Sequence, residues 1–191
     1  MRADIFRLII SWLWLGLWLV WLVSALTVKP SVKKQSWGSR WIQNPLIIAA
    51  FTFLFARKLW PAPLHRRLLP ESVTVMWIGL ALATAGLGFA ICARLWIGRN
   101  WSGNVTIKEQ HELIQGGPYR LVRHPIYSGL LLAFLGTAIV YGEAHCFIGF
   151  PLAVLGFGLK ARLEESFMLQ QFGAAYADYK QRVKALVPFL I

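Results

Sequence analysis

The stretch Arg123-His124-Pro125-Ile126-Tyr127-Ser128-Gly129 stands at the start of an apolar run that continues to Tyr141. The residue before a proline is disfavoured from helical geometry, whereas proline itself suits the first position of a helix. A Gly-Gly-Pro turn signal precedes the stretch at residues 116–118. The pattern predicts that a helix begins at Pro125 and that Arg123 and His124 lie where a polar loop enters it.

The composition around this stretch is that of a membrane protein. The chain has 191 residues, of which 57% are hydrophobic and 15% charged, whereas soluble domains are about 45–50% apolar and about 25% charged. These values exclude an ordinary soluble enzyme, a disordered chain and a fibrous repeat. Twenty Lys and Arg against eight Asp and Glu give a net charge of +12. In so apolar a chain, that excess indicates basic loops beside membrane spans rather than nucleic-acid binding. Two cysteines in apolar runs exclude a disulfide framework.

Five apolar runs are predicted to cross the bilayer as helices. They are residues 5–28, 45–60, 72–97, 125–141 and 145–159. The three-residue turn 142–144 predicts that the last two form an antiparallel hairpin, and their short length predicts tilt or local thinning of the bilayer. Small residues in the third run predict close helix packing. The first run also has features of a cleaved signal peptide, although its length and four tryptophans favour a span.

The sequence therefore predicts an all-α fold, a polytopic membrane helical bundle of about five transmembrane helices with a cytosolic C-terminal helical cap. We expect a single integral membrane domain over residues 1–191. Two N-terminal spans occupy 1–70, and the third span, a loop, the hairpin and the tail occupy 71–191. Counting Lys and Arg by loop gives 14 on the side of the C-terminus and 6 on the other. This asymmetry predicts a cytosolic C-terminus, in the inner membrane if the protein is bacterial.

Two groups of polar residues fall on the predicted cytosolic side. Arg120, Arg123 and His124 precede a helix start, which favours an anionic ligand group, although the arginines could be membrane anchors only. Glu164-Glu165 contributes two of the eight acids. Neighbours on a helix point about 100° apart, so one carboxylate can face inward and the other outward. A solvated helix exit is the alternative interpretation.

Further polar segments flank these two groups. Residues 98–103, Gly-Arg-Asn-Trp-Ser-Gly, follow the third span and carry only a weak signal. Tyr176, Tyr179 and Val183 share one face of a short helix. That helix is expected to lie on the membrane surface or over the 94–124 loop. His65, His111 and His145 lack the spacing of metal ligands, and no metal site is predicted.

Taken together, the motifs resemble those of the isoprenylcysteine carboxyl methyltransferase family, which is similar to the phospholipid N-methyltransferases. The resemblance covers roughly residues 90–189. It rests on the 123–129 stretch with Gly117-Pro118-Tyr119-Arg120 before it, and on Glu164-Glu165, Phe172-Gly173, Tyr176 and Tyr179 after it. The order and spacing of these motifs are specific for the superfamily but not for the substrate.

The resemblance implies an integral membrane methyltransferase that uses S-adenosylmethionine and a lipid-like or isoprenylated acceptor, with a carboxylate as the methylated group. Membrane lipids are the other expected partners, and nucleic acid is not. The implied catalytic residues are His124, Glu165 and Arg123. The implied cofactor-binding residues are Tyr119, Arg120, His124, Pro125, Tyr127, Gly129, Glu164 and Glu165. Two alternatives stay open, namely a membrane reductase of the sterol-reductase type that uses NADPH and a non-enzymatic membrane accessory protein.

Overall fold

The computed structural model describes residues 2–26, 31–34, 37–101, 106–108 and 112–187. Its long elements are helices, and the order along the chain is the predicted one. They are α1 (Arg2–Ala25), α2 (Trp37–Phe55), α3 (Val73–Ile97), α4 (Pro125–Tyr141), α5 (Ala144–Phe172) and α6 (Ala174–Arg182). The helix start predicted at Pro125 is confirmed.

Three helical segments are long and apolar enough to cross a membrane, namely Ala3–Ala25, Val73–Asn100 and Ala144–Phe172. Two shorter apolar segments, Gln43–Phe55 and Pro125–Tyr141, lie beside them. The prediction of a helical membrane bundle is confirmed, while the count of five spans stays a prediction. The expectation that the fifth run is short is wrong, because α5 continues to Phe172. No glycine or proline interrupts residues 160–172, so the helix extends past its apolar part.

A small antiparallel ribbon accompanies the helices. Strand β1 (Ser31–Lys34) pairs with β2 (Thr106–Lys108), and the register shifts between Ser31 and Lys33. The ribbon joins the loop after α1 to the loop after α3. The all-α prediction omitted it, because its partners are distant in sequence and meet only when the helices pack.

Close approach of α3 and α4 holds the centre of the bundle, as their small residues predict. A Cβ atom at Gly86 would lie 2.5 Å from the backbone oxygen of Gly129, and one at Gly79 would lie 2.7 Å from that of Gly136. Glycine at these positions lets the two helices approach backbone to backbone. The hairpin of α4 and α5 is thereby fixed against α3.

The α4–α5 turn is tied to three other parts of the chain by a buried carboxylate. Gly142 takes the left-handed conformation with φ 67° and ends α4. The side chain of Glu143 is 4% exposed and pairs with Arg7 of α1 at 3.3 Å, Arg57 at 2.7 Å and His145 at 3.2 Å. Burial alone would raise the pKa of Glu143, but the hydrogen bond from Arg57 and the positive charges lower it. We call these four residues the hairpin-turn cluster.

Candidate functional site

The candidate site lies at the other end of α4, about 25 Å from the hairpin turn by helix length. A single 3-10 turn, Gly117–Arg120, leads into it. Gly117 has φ +55°, and the ring of Trp96 fills the space where a side chain would project, so only glycine suits this turn. Tyr119 is buried behind the turn, and Pro125 is the first residue of α4.

His124 lies between two carboxylates. Its Nε2 is 3.3 Å from Oε1 of Glu165, and its Nδ1 is 3.5 Å from Oε2 of Glu164. The expectation that one glutamate faces outward is therefore wrong, because both reach the same imidazole. Burial by itself would lower the pKa of His124, but the hydrogen bonds to Glu164 and Glu165 outweigh it and raise the pKa. The two carboxylates thus stabilise the protonated form of the imidazole.

Arg123 is committed to the protein rather than open to a ligand. Its Nη2 and Nε lie 2.5 Å and 2.9 Å from Oε1 of Glu165. Its Nη1 donates to the backbone oxygens of Lys180 and Val183. The Lys180 ammonium lies 2.7 Å from Oε2 of Glu165. Arg123 thus contacts both Glu165 and the tail, and a catalytic role for it stays a prediction.

Tyr127 completes the group on the side of Glu164. Its hydroxyl donates to Oε1 of Glu164 at 2.5 Å. Its ring stacks on His124, with centroids 5.5 Å apart and an interplanar angle of 8°, and on Phe157 at 5.2 Å. The ammonium of Lys160 lies 5.6 Å from the centroid of the same ring. We call Arg123, His124, Tyr127, Glu164 and Glu165 together the His124 cluster.

The C-terminal tail covers the loop that carries this cluster. The backbone nitrogen of Arg123 donates to Lys184 at 2.8 Å, and that of His124 donates to Ala185 at 3.0 Å. On α6, the hydroxyl of Tyr179 donates to the backbone oxygen of Tyr119 at 2.6 Å. Burial raises the pKa of Tyr179 to about 12, so it stays a donor at neutral pH. Of the two expectations for this helix, the position over the loop is the one observed.

Not every predicted site residue joins the cluster. Gly129 packs against α3, where a Cβ would lie 2.5 Å from the oxygen of Gly86, so helix packing accounts for this glycine. Arg120 is exposed at the end of the 3-10 turn. In the 98–103 segment, Asn100 is buried with a side-chain oxygen that lacks a partner among the described residues. Ser102 and Gly103 lie outside the described residues, as does His111.

Sequence reasoning missed one polar residue near the site, Arg94. It is 1% exposed at the C-terminal end of α3 and donates to the backbone oxygens of Gly98 and Ser24 at 2.9 Å and 2.7 Å. Its guanidinium lies 4.3 Å from the ring centroid of Trp101. Among residues 2–26, 31–34, 37–101, 106–108 and 112–187, no carboxylate forms an ion pair with Arg94. A charged residue inside an apolar run was the available signal.

The phenol of Tyr119 is within electrostatic range of both Arg94 and Glu164. Burial raises its pKa, the negative charge of Glu164 raises it further, and the positive charge of Arg94 opposes both. An acidic and a basic group thus both act on Tyr119.

Residues 73–175 match the model of the family described as phospholipid methyltransferase. A probable protein-S-isoprenylcysteine O-methyltransferase of Oryza sativa subsp. indica is 33% identical over 146 residues, which are 75% of this chain and 76% of the rice protein. Protein-S-isoprenylcysteine O-methyltransferase B of Arabidopsis thaliana is also 33% identical, over 60% of this chain and 61% of its own.

A solved structure has the same fold. The eukaryotic intramembrane Ras methyltransferase, an isoprenylcysteine carboxyl methyltransferase, aligns with a TM-score of 0.53 and 24% identity. The alignment covers 77% of this chain and 52% of that one. At this identity the likeness concerns the fold.

A helical membrane bundle with these matches is an integral membrane methyltransferase. The chain belongs to the phospholipid methyltransferase family and, within it, to the isoprenylcysteine carboxyl methyltransferases. The resemblance inferred from the 123–129 motif is confirmed.

Proposed function

We propose that this protein transfers a methyl group from S-adenosylmethionine to the carboxylate of a lipid-like acceptor, with an isoprenylated cysteine as the acceptor class. The observation that carries the proposal is the His124 cluster, in which two carboxylates converge on one imidazole at the end of a membrane helix. Burying ionisable groups at such a position costs free energy, so their presence indicates a functional site. The names of the rice and Arabidopsis relatives support the acceptor class.

The residues present fit the cofactor. S-adenosylmethionine carries an ammonium and ribose hydroxyls, which need carboxylate acceptors. Glu165 is saturated by Arg123, Lys180 and His124. Glu164 is the freer of the two, because its side chain is 24% exposed. We therefore assign the cofactor contact to Glu164 and a supporting role to Glu165. When bound, the cofactor supplies the methyl group, and the chain's own residues position it.

We assign binding of the acceptor's carboxylate to Arg94. A buried guanidinium needs a counter-charge, and the described residues provide none as an ion pair. A carboxylate acceptor would provide it, whereas a protonated amine would be repelled. A carboxylate also needs no general base. This suits a site in which two glutamates stabilise the protonated form of His124, a form that cannot accept a proton.

The proposed orientation in the membrane rests on the count of basic residues and on the fold. The 112–124 segment and the tail after 160 lie at one end of the bundle, and the count assigns the larger number of Lys and Arg to that end. We propose that this end faces the cytosol. The acceptor's apolar chain then lies within the bilayer while its carboxylate reaches the site.

Binding of S-adenosylhomocysteine to the detergent-purified protein tests the cofactor assignment. This compound is the product that the cofactor leaves after methyl transfer, so its binding needs no acceptor. Hydrogen bonds to charged groups contribute about 1.5–3 kcal/mol, so Glu164→Gln should weaken binding roughly 10- to 100-fold. Glu71→Gln, an exposed acid at the other end of the bundle, should bind as wild type does. Absence of binding by folded wild type, together with binding of NADPH, would favour a membrane reductase instead.

Methyl transfer to an isoprenylated cysteine derivative tests the acceptor assignment. Arg94→Gln should raise KM for the acceptor while affinity for S-adenosylhomocysteine stays near that of wild type. Arg94→Lys keeps the charge and should retain part of the affinity for the acceptor. Equal loss of both affinities in Arg94→Gln would show that Arg94 supports the fold rather than the acceptor.

A further inference from the structure

The connection between α2 and α3 lies at the end of the bundle that holds the hairpin-turn cluster, away from the His124 cluster. Its exposed side chains include both basic and apolar ones. Arg57, Lys58 and Arg66 are exposed, and Leu59 and Leu68 are 68% and 54% exposed beside them. Arg57 pairs with Glu143, whereas neither the proposed reaction nor a hydrogen bond or ion pair with a described residue uses the side chains of Lys58, Leu59, Arg66 and Leu68.

This connection is firmly held although it is not a long helix. The indole of Trp60 stacks on Phe53 at 3.8 Å and 9°. The backbone nitrogen of Leu68 donates to Gly142 at 2.7 Å, and that of Ala144 donates to Arg66 at 2.9 Å. The backbone is therefore fixed while the basic and leucine side chains project from it. A rigid presentation of this kind lowers the entropic cost of binding.

The charges at this end are unevenly distributed. Arg7, Arg57, Lys58, Arg66 and Arg67 lie here, whereas the acids in the described part of this end are Asp4, Glu71 and the buried Glu143. Glu143 is engaged by Arg7, Arg57 and His145, so it offsets their charge and leaves the exposed charges of Lys58 and Arg66. Exposed positive charge thus lies at the ends of the helices, beside leucines that can contact lipid acyl chains.

We propose that the α2–α3 connection is a binding site for the headgroup of an anionic phospholipid. Lys58 and Arg66 contact the phosphate region, and Leu59 and Leu68 lie against the acyl chains. Long basic side chains beside apolar ones are suited to this boundary, because the charged head reaches the phosphates while the stem stays apolar. The proposal also gives a reason for basic residues on the side that the charge count places outside the cytosol.

Lipid-dependent stability tests the proposal. Protein in detergent is titrated with phosphatidylglycerol or with phosphatidylcholine of the same acyl chains, and the unfolding midpoint is followed. We expect a larger rise with phosphatidylglycerol for wild type, and a midpoint gain that falls as salt is added. Lys58→Gln combined with Arg66→Gln should weaken the apparent affinity for phosphatidylglycerol by about tenfold or more.

Two matched controls separate this site from general charge effects. Lys58→Arg combined with Arg66→Lys keeps both charges and should respond as wild type does. Arg162→Gln combined with Arg182→Gln removes two exposed charges at the opposite end and should keep the full response. Equal responses of wild type to both lipids, an unchanged response of the Lys58/Arg66 Gln variant, or an equal gain from inorganic phosphate alone would overturn the proposal.

Discussion

The guanidinium of Arg123 and the carboxylate of Glu165 lie 2.5 Å apart, although 42 residues separate them along the chain. Both side chains are more than nine-tenths buried. Because Arg123 also donates to the backbone oxygens of Lys180 and Val183, one guanidinium joins the loop before α4, the end of α5 and the tail. The orientation of Glu165 toward His124 depends on this pair.

Replacing Arg123 by methionine should therefore destabilise the protein. Breaking a buried ion pair from one side costs about 3–5 kcal/mol, since it leaves the other charge without compensation. We expect a lower unfolding midpoint and faster proteolysis of the tail after residue 180. Adding Glu165→Met to Arg123→Met should recover part of the loss. A single variant as stable as wild type would show that the pair does not hold the tail.

Two glycine variants on α3 test the contact between α3 and α4. Gly86→Ala places a Cβ 2.5 Å from the backbone oxygen of Gly129, so the helices must move apart. Overpacking of this kind costs about 1–3 kcal/mol. Gly88→Ala lies two residues along the same helix with nothing within 4 Å of its Cβ, and it should be neutral or slightly stabilising. Thermal unfolding in one detergent compares the two, and equal midpoints would contradict the observed packing.

The pKa of His124 makes stability depend on pH on the alkaline side. Its folded-state pKa is raised above the ordinary value of 6.5. The stabilisation is therefore fully present below about pH 6.5 and is lost as pH rises through the higher folded-state pKa. His124→Gln should show a flatter decline of the unfolding midpoint above neutral pH. His65→Gln, at the other end of the bundle, should decline as wild type does.

Glu143 has the opposite dependence at the acidic side. Its folded-state pKa is lowered from 4.5 by Arg57 and its other partners, against the effect of burial. Its stabilisation is present above about pH 4.5 and is lost as pH falls through the lower folded-state pKa. The unfolding midpoint of wild type should thus fall more steeply below pH 4.5 than that of Glu143→Gln. Parallel curves for the two proteins would show that the hairpin-turn cluster does not carry this charge.

Local sequence chemistry was sufficient for the start of α4 and for the hairpin turn. Pro125 and the residue before it fix a helix boundary, and Gly142 follows an apolar run with a left-handed turn. It was not sufficient for the end of α5. An apolar run marks where a helix leaves the membrane rather than where it ends, so residues 160–172 were assigned to no span. The β1–β2 ribbon has no local signal either.

The motif of residues 123–129 and the glutamate pair determined the family and the members of the candidate site, because residue types and their order can be read from the sequence alone. Only the tertiary structure decided their contacts. In it, both Glu164 and Glu165 contact His124. Arg123 forms an ion pair with Glu165, and Gly129 packs against α3. It also brought Arg94, which forms no ion pair within the described part of the chain, into electrostatic range of Tyr119. Which side chains contact one another depends on distances between segments that are far apart in sequence, and only helix packing fixes those distances.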